Sequence, residues 1–151
     1  DAERIVVLGQ SLGGAISVAA IAESKLPLPA ALVVEGTFSS YRSVGSSVMR
    51  RKWLTWPVSW LPWVIVKEDH SPLKEIAGIT CPKLFLHSKK DPVVPYREGR
   101  RLYEAAPQPK EFVTVPFGHI DAFHGQRDVY GHRLLDFLKT ALSRIPNSDV
   151  R

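Results

Sequence analysis

Sulfur is scarce in this chain: one cysteine, Cys81, and one methionine among 151 residues. A lone cysteine excludes an internal disulfide and any cysteine-based zinc site. Lying before Pro82 at the head of an apolar run, Cys81 reads as a small buried thiol. No apolar run reaches membrane-spanning length, and no signal peptide is visible. If the sequence is a piece of a longer protein, that second absence says nothing about its parent. No Gly-Lys-Ser/Thr or Gly-x-Gly-x-x-Gly occurs, which leaves a nucleotide loop without support. Repeats and low-complexity tracts are also missing. Charge of one sign is not concentrated: the net charge of +5 is modest, and its densest cluster, Arg50-Arg51-Lys52, reads as a solvated face and not as a nucleic-acid site.

What is present is ordinary for a soluble globular domain, with 44% hydrophobic and 23% charged residues. A chain of this length buries roughly two-thirds of the surface it exposes when unfolded, enough for one core. The expectation is a single domain over residues 1–145 with a frayed tail at 146–151. A cytoplasmic setting is expected, with membrane attachment of a longer parent left open.

The most informative stretch is Gly9-Gln10-Ser11-Leu12-Gly13, directly after the apolar run Ile5-Val6-Val7-Leu8 and directly before a small-residue, helix-like segment. Strand, Gly-x-Ser-x-Gly and helix, in that order, make a nucleophile elbow, which projects a serine from a sharp turn at the carboxyl end of a strand. Side chains at either flanking glycine are expected to collide with the neighbouring strand or helix. The elbow begins at residue 9, where a complete enzyme of this kind would already have several strands behind it. The chain therefore reads as the carboxyl-terminal part of a serine hydrolase.

Strands and helices alternate, which predicts a three-layer α/β/α fold with a mostly parallel sheet. Short apolar runs place strands at Arg4–Leu8, Ala31–Glu35, Lys83–His87 and Glu111–Val115. Helical spacing places helices at Leu12–Glu23, Tyr96–Ala106 and Asp128–Arg144. In the first of these, Leu12, Ala15, Ile16, Ala19 and Ala20 form one apolar stripe. Residues 38–75 break the alternation. They hold all four tryptophans, Trp53, Trp56, Trp60 and Trp63, together with Pro57, Pro62 and Pro72. Such an insertion is expected to form a lid or acyl pocket over Ser11, with Gln10, Phe38, Trp53, Trp56 and Trp60 as substrate-binding candidates. Two other readings stand beside it: packing of the insertion onto the body, and membrane-surface contact through residues 50–63.

A serine hydroxyl needs a base to take its proton, and a histidine serves when a carboxylate fixes its tautomer. Elbow hydrolases order these groups Ser, acid, His. Asp91 follows the third strand and His119 the fourth, so all three would sit at carboxyl ends of parallel strands, where open α/β sheets carry their sites. Glu35, ending the second strand, is the rival acid, and Asp121 is too close to His119 in sequence. His87 reads as structural, lining the site floor. His124 and His132 read as exposed, and His70 belongs to the insertion.

Four stretches together, Gly-Gln-Ser-Leu-Gly-Gly-Ala, Glu35-Gly36-Thr37-Phe38-Ser39-Ser40, Cys81-Pro82-Lys83-Leu84-Phe85-Leu86-His87 and Asp91-Pro92-Val93-Val94-Pro95, resemble the esterase-like enzymes of the α/β-hydrolase superfamily over nearly the whole chain. The resemblance implies hydrolysis of a small-molecule acyl ester, thioester or amide through an acyl-enzyme on Ser11. It also implies an oxyanion hole built in part from the Leu12 backbone N–H. Neither a metal nor an organic cofactor is needed. The family's second oxyanion donor would lie upstream of Asp1, and losing one such donor costs roughly 10²–10³ in turnover. Two rival readings follow: a hydrolase-like module used for binding, and an acyltransferase. The strand at residues 4–8 would be left as an open edge, which invites a homodimer.

Overall fold

The computed structural model describes residues 4–116, 118–123 and 127–144. Its framework is a four-stranded sheet, all parallel, in the order β1-β2-β3-β4: β1 Val6–Gln10, β2 Ala31–Glu35, β3 Lys83–Ser88 and β4 Lys110–Val115. Sequential order in a parallel sheet requires each connection to cross over one face, and the helices do so. α1 (Leu12–Glu23) follows β1, α5 (Tyr96–Ala105) follows β3, and α6 (Arg127–Leu142) closes the described chain.

Alternation along the strands builds two cores, one on each face of the sheet. Leu32, Val34 and Phe85 pack with Val18 of α1 and Leu102 of α5. Ala31, Val33, Leu84 and Leu86 pack with Tyr130, Phe137 and Ala141 of α6. This is the expected three-layer α/β/α arrangement. The tail at 146–151 and His124 fall outside the described residues.

Boundaries differ from expectation by a residue or two. β1 runs two residues further, because its ladder with β2 continues through the elbow glycine to pair Gln10 with Glu35. The stripe expected on α1 is wrong in orientation. Gly14, Ala15 and Val18 are buried, whereas Leu12 and Ile16 are more than half exposed. Ile16 and Ala20 instead line an open apolar groove with Ile5, Val7 and Leu26, beside the free edge of β1. On α6, Leu135 and Leu142 likewise face solvent.

Residues 38–75 are more regular than their prolines suggest. They form α2 (Tyr41–Arg50), a single turn at Trp56–Val58, α3 (Pro62–Ile65) and α4 (Pro72–Glu75). Ser40 caps α2 by accepting from the Ser43 N–H at 3.1 Å, which satisfies one of the orphan donors of a helix start. The base of the excursion is stitched together: Glu68 accepts from the Ser40 hydroxyl and the Arg42 N–H, and Arg42 Nε donates to the Val66 carbonyl at 2.7 Å. Buried Glu98 of α5 ties it to the body by accepting from Ser39 and Ser43 at 2.6 and 2.5 Å. The tryptophans do not pack onto the body. All four stand 53–88% exposed and join none of the buried clusters, and a lid over Ser11 is not seen.

Candidate active site

Three strand ends set the site. Ser11 follows β1 at once, Asp91 lies three residues beyond β3, and His119 lies four beyond β4. The parallel register brings these ends to one edge of the sheet, since Gln10 pairs with Glu35, Glu35 with Leu86, and Ser88 with Val115.

Ser11 has φ 52° and ψ −122°, a conformation that L residues seldom adopt and that costs on the order of 1–3 kcal/mol. Surrounding hydrogen bonds hold it there. The Ser11 N–H donates to the Glu35 carbonyl at 2.8 Å, and the Ser11 carbonyl accepts from the Gly14 N–H at 3.1 Å and from the Thr37 hydroxyl at 3.2 Å. The glycine requirement falls differently from expectation. A Cβ on Gly9 would lie 2.6 Å from Gly14 Cα, and one on Gly14 would lie 1.9 Å from Thr37 Oγ1. A Cβ on Gly13 would meet nothing, so the tight approach is between Gly9 and Gly14.

Hydrogen bonds connect the three side chains. Asp91, whose side chain is fully buried, directs Oδ1 to the N–H groups of Val93 and Val94 at 2.7 and 2.8 Å. That fixes the carboxylate and leaves Oδ2 facing His119 Nδ1 at 2.7 Å. A carboxylate only accepts, so Nδ1 carries the proton and Nε2 is left to accept from the Ser11 hydroxyl, 2.8 Å away. Leu12 opens α1, where its N–H has no partner four residues back within the helix and lies at the positive end of the helix dipole.

Glu35 is not bonded to His119. Its buried carboxylate accepts from Gln10 Nε2 at 2.8 Å and from the Ala122 N–H at 2.7 Å, so it holds the elbow and the histidine loop together. Sequence reasoning missed this role. The signal was there, because a carboxylate closing an otherwise apolar buried strand demands partners. Gln10, expected to touch substrate, spends its amide on Glu35. Phe38 is buried against Ala15 and Val94, with Tyr41 edge-on at 5.1 Å, so it supports the site from within the core. Trp53, Trp56 and Trp60 stand exposed, outside the buried clusters.

His87 is buried and structural, as expected. Its Nε2–H donates to the Val94 carbonyl at 3.1 Å and lies 3.4 Å from Asp91 Oδ2. Burial lowers its pKa below the ordinary histidine value, against the opposing pull of the Val94 hydrogen bond and of Asp91. A neutral ring therefore braces the Asp91 turn. His132 is exposed and bonded to the Asp128 carbonyl, while His70 pairs with Glu23 and Glu75 away from this edge.

A parallel sheet with helices on both faces and a strained serine in a strand-to-helix turn is the architecture of the α/β-hydrolase fold. An esterase from Pyrococcus furiosus shares that fold, with a TM-score of 0.71 at 19% identity over 91% of this chain and 54% of its own. The chain belongs to the prolyl oligopeptidase family, which matches residues 1–143. Among curated relatives, the uncharacterised protein YfhR of Escherichia coli O157:H7 is 33% identical over 146 residues, covering 93% of this chain and 47% of its own length. The α/β-hydrolase domain-containing protein WAV2 of Arabidopsis thaliana is 34% identical over 149 residues, covering 92% and 48%. The chain thus spans about half the length of the curated relatives it matches. Family and fold point to a hydrolase of the esterase or peptidase kind.

Proposed function

We propose that the chain carries the catalytic triad of a serine hydrolase that cleaves acyl esters through an acyl-enzyme on Ser11. The observation that carries this reading is the continuous hydrogen-bond chain from Ser11 Oγ through His119 to Asp91. In the first half-reaction, Ser11 Oγ bonds to the acyl carbonyl carbon while its proton passes to His119 Nε2. The carbonyl oxygen becomes an oxyanion that accepts from the Leu12 N–H. Collapse of this intermediate breaks the carbon–oxygen bond to the alcohol, which leaves with the proton from His119. Water then repeats the sequence, giving its proton to His119 and its oxygen to the acyl carbon, and Ser11 is restored. Asp91 keeps Nδ1 protonated throughout and stabilises the imidazolium that forms twice in the cycle.

The ester is the favoured bond because an alcohol leaves with less help than an amine. The test is mass spectrometry of the chain mixed with an activated acyl ester and quenched early. The expected result is one acyl group on the Ser11 peptide, lost with time in water and absent in Ser11→Ala. Acylation elsewhere, or equal acylation of Ser11→Ala, overturns the reading. A competing alcohol or thiol in the same mixture separates hydrolysis from acyl transfer by its products.

A further inference from the structure

Between Gly36 and Lys67 the sequence has no Asp or Glu, yet it carries Arg42, Arg50, Arg51, Lys52 and Lys67. All four tryptophans of the chain fall in the same excursion. The structure turns this segment outward. Trp53 is 88% exposed, Leu54 73%, and Trp56, Trp60, Val64 and Ile65 are each more than half exposed. These residues surround a folded unit and are not an unstructured loop, because α3 packs back on α2 with Pro62 against Gly45, and the base is stitched at Arg42, Val66 and Glu68.

A monomeric soluble domain seldom exposes so many large apolar side chains in one stretch. Apolar surface alone does not name an occupant, but the chemistry around it does. Tryptophans beside a cluster of Arg and Lys, with no acidic residue among them, match the two layers of an anionic bilayer surface: indole rings at the headgroup boundary, guanidinium and ammonium groups on the phosphates and carboxylates. A nucleic acid would take the cations but leave Leu54, Val64 and Ile65 in water. We infer that the excursion at residues 50–65 seats this chain on the surface of a membrane containing anionic phospholipid.

The inference does not rest on the hydrolase reading, and its test reads a different signal. Because every tryptophan lies in the excursion, the intrinsic fluorescence of the unmodified chain reports on this segment alone. With vesicles of mixed phosphatidylserine and phosphatidylcholine, the emission is expected to shift to the blue, to be quenched by brominated acyl chains, and to shift equally in Ser11→Ala. Replacing Arg50, Arg51 and Lys52 together by Gln should weaken binding by about a hundredfold, at about fivefold for each basic residue near the surface. Raising the salt should weaken the unmodified chain in the same direction. Trp53→Ser with Trp56→Ser should lower partitioning into the same vesicles, with circular dichroism confirming that each variant is folded. Emission that is indifferent to the vesicles, binding equal on pure phosphatidylcholine, or a shift produced by a DNA duplex or by raising the protein concentration alone would overturn the inference.

Discussion

A strained backbone holds Ser11 at the elbow, and the nucleophilic role proposed for its hydroxyl can be tested through its neighbours one at a time. Asp91→Asn preserves the shape of the turn but lets the wrong imidazole tautomer form. Turnover of an activated ester should fall by on the order of 10⁴ with little change in KM. Gly36 is a second sensitive point: its φ is +60°, and a Cβ there would lie 2.5 Å from the His119 carbonyl. Gly36→Ala should therefore displace the histidine loop and lower kcat in a protein that remains folded by circular dichroism. His87 gives a pH signature. Its folded pKa lies below the ordinary value through burial, so the unfolded chain binds a proton first as pH falls below ~6.5. Stability should fall on acidification through that value and go on falling until the lowered folded pKa is reached. In thermal melts, His87→Gln should remove that component.

At the scale of elements, the clamp at Glu98 joins α5 to the segment that begins α2. Glu98→Ala would leave two buried serine hydroxyls without an acceptor, a loss of roughly 2–4 kcal/mol in denaturant unfolding. The four strands and the helices α1, α5 and α6 were legible in the sequence, as short apolar runs and as segments between Pro or Gly stops, whereas α2, ten residues long like α5, was read as part of an irregular insertion. The gathering of Ser11, Asp91 and His119 at one edge of the sheet was legible for a related reason: each follows a readable parallel strand within four residues. What sequence could not supply was the rotation of short elements. The α1 stripe was misassigned because nearly all its residues are small or apolar, so periodicity had no polar face to mark. The exposure of the tryptophans was not legible because an aromatic cluster looks alike whether it fills a pocket or stands in solvent. Glu35 was read as a candidate acid because a carboxylate at a strand end shows its position in sequence but not its two hydrogen-bond donors.

At the scale of the whole molecule, a buried lysine gives a pH signature. Lys83 is fully buried in β3 with Nζ donating to the Ile79 and Cys81 carbonyls at 2.7 Å each, and burial lowers its pKa to about 8. Above that value the folded state gives up a proton that the unfolded chain keeps until its own value near 10.5. Stability should therefore rise with pH across that window, and the rise should be missing in Lys83→Met when both are melted side by side. Among the described residues β1 pairs with β2 alone; Ile5 and Leu8 stand about half exposed, and Ile5 lines the apolar groove. We propose that this edge pairs with that of a second copy, in which case the scattering mass climbs toward a dimer as concentration rises. A strictly monomeric profile at high concentration would count against pairing along residues 4–8.

Whether Ser11 is activated, as proposed, is read directly by a fluorophosphonate probe, because only a serine whose proton is drawn off by a base reacts quickly. The expected result is rapid labelling at Ser11, sharply reduced in His119→Ala and absent in Ser11→Ala. A folded chain that is not labelled, or one labelled as well in Ser11→Ala, would contradict the account.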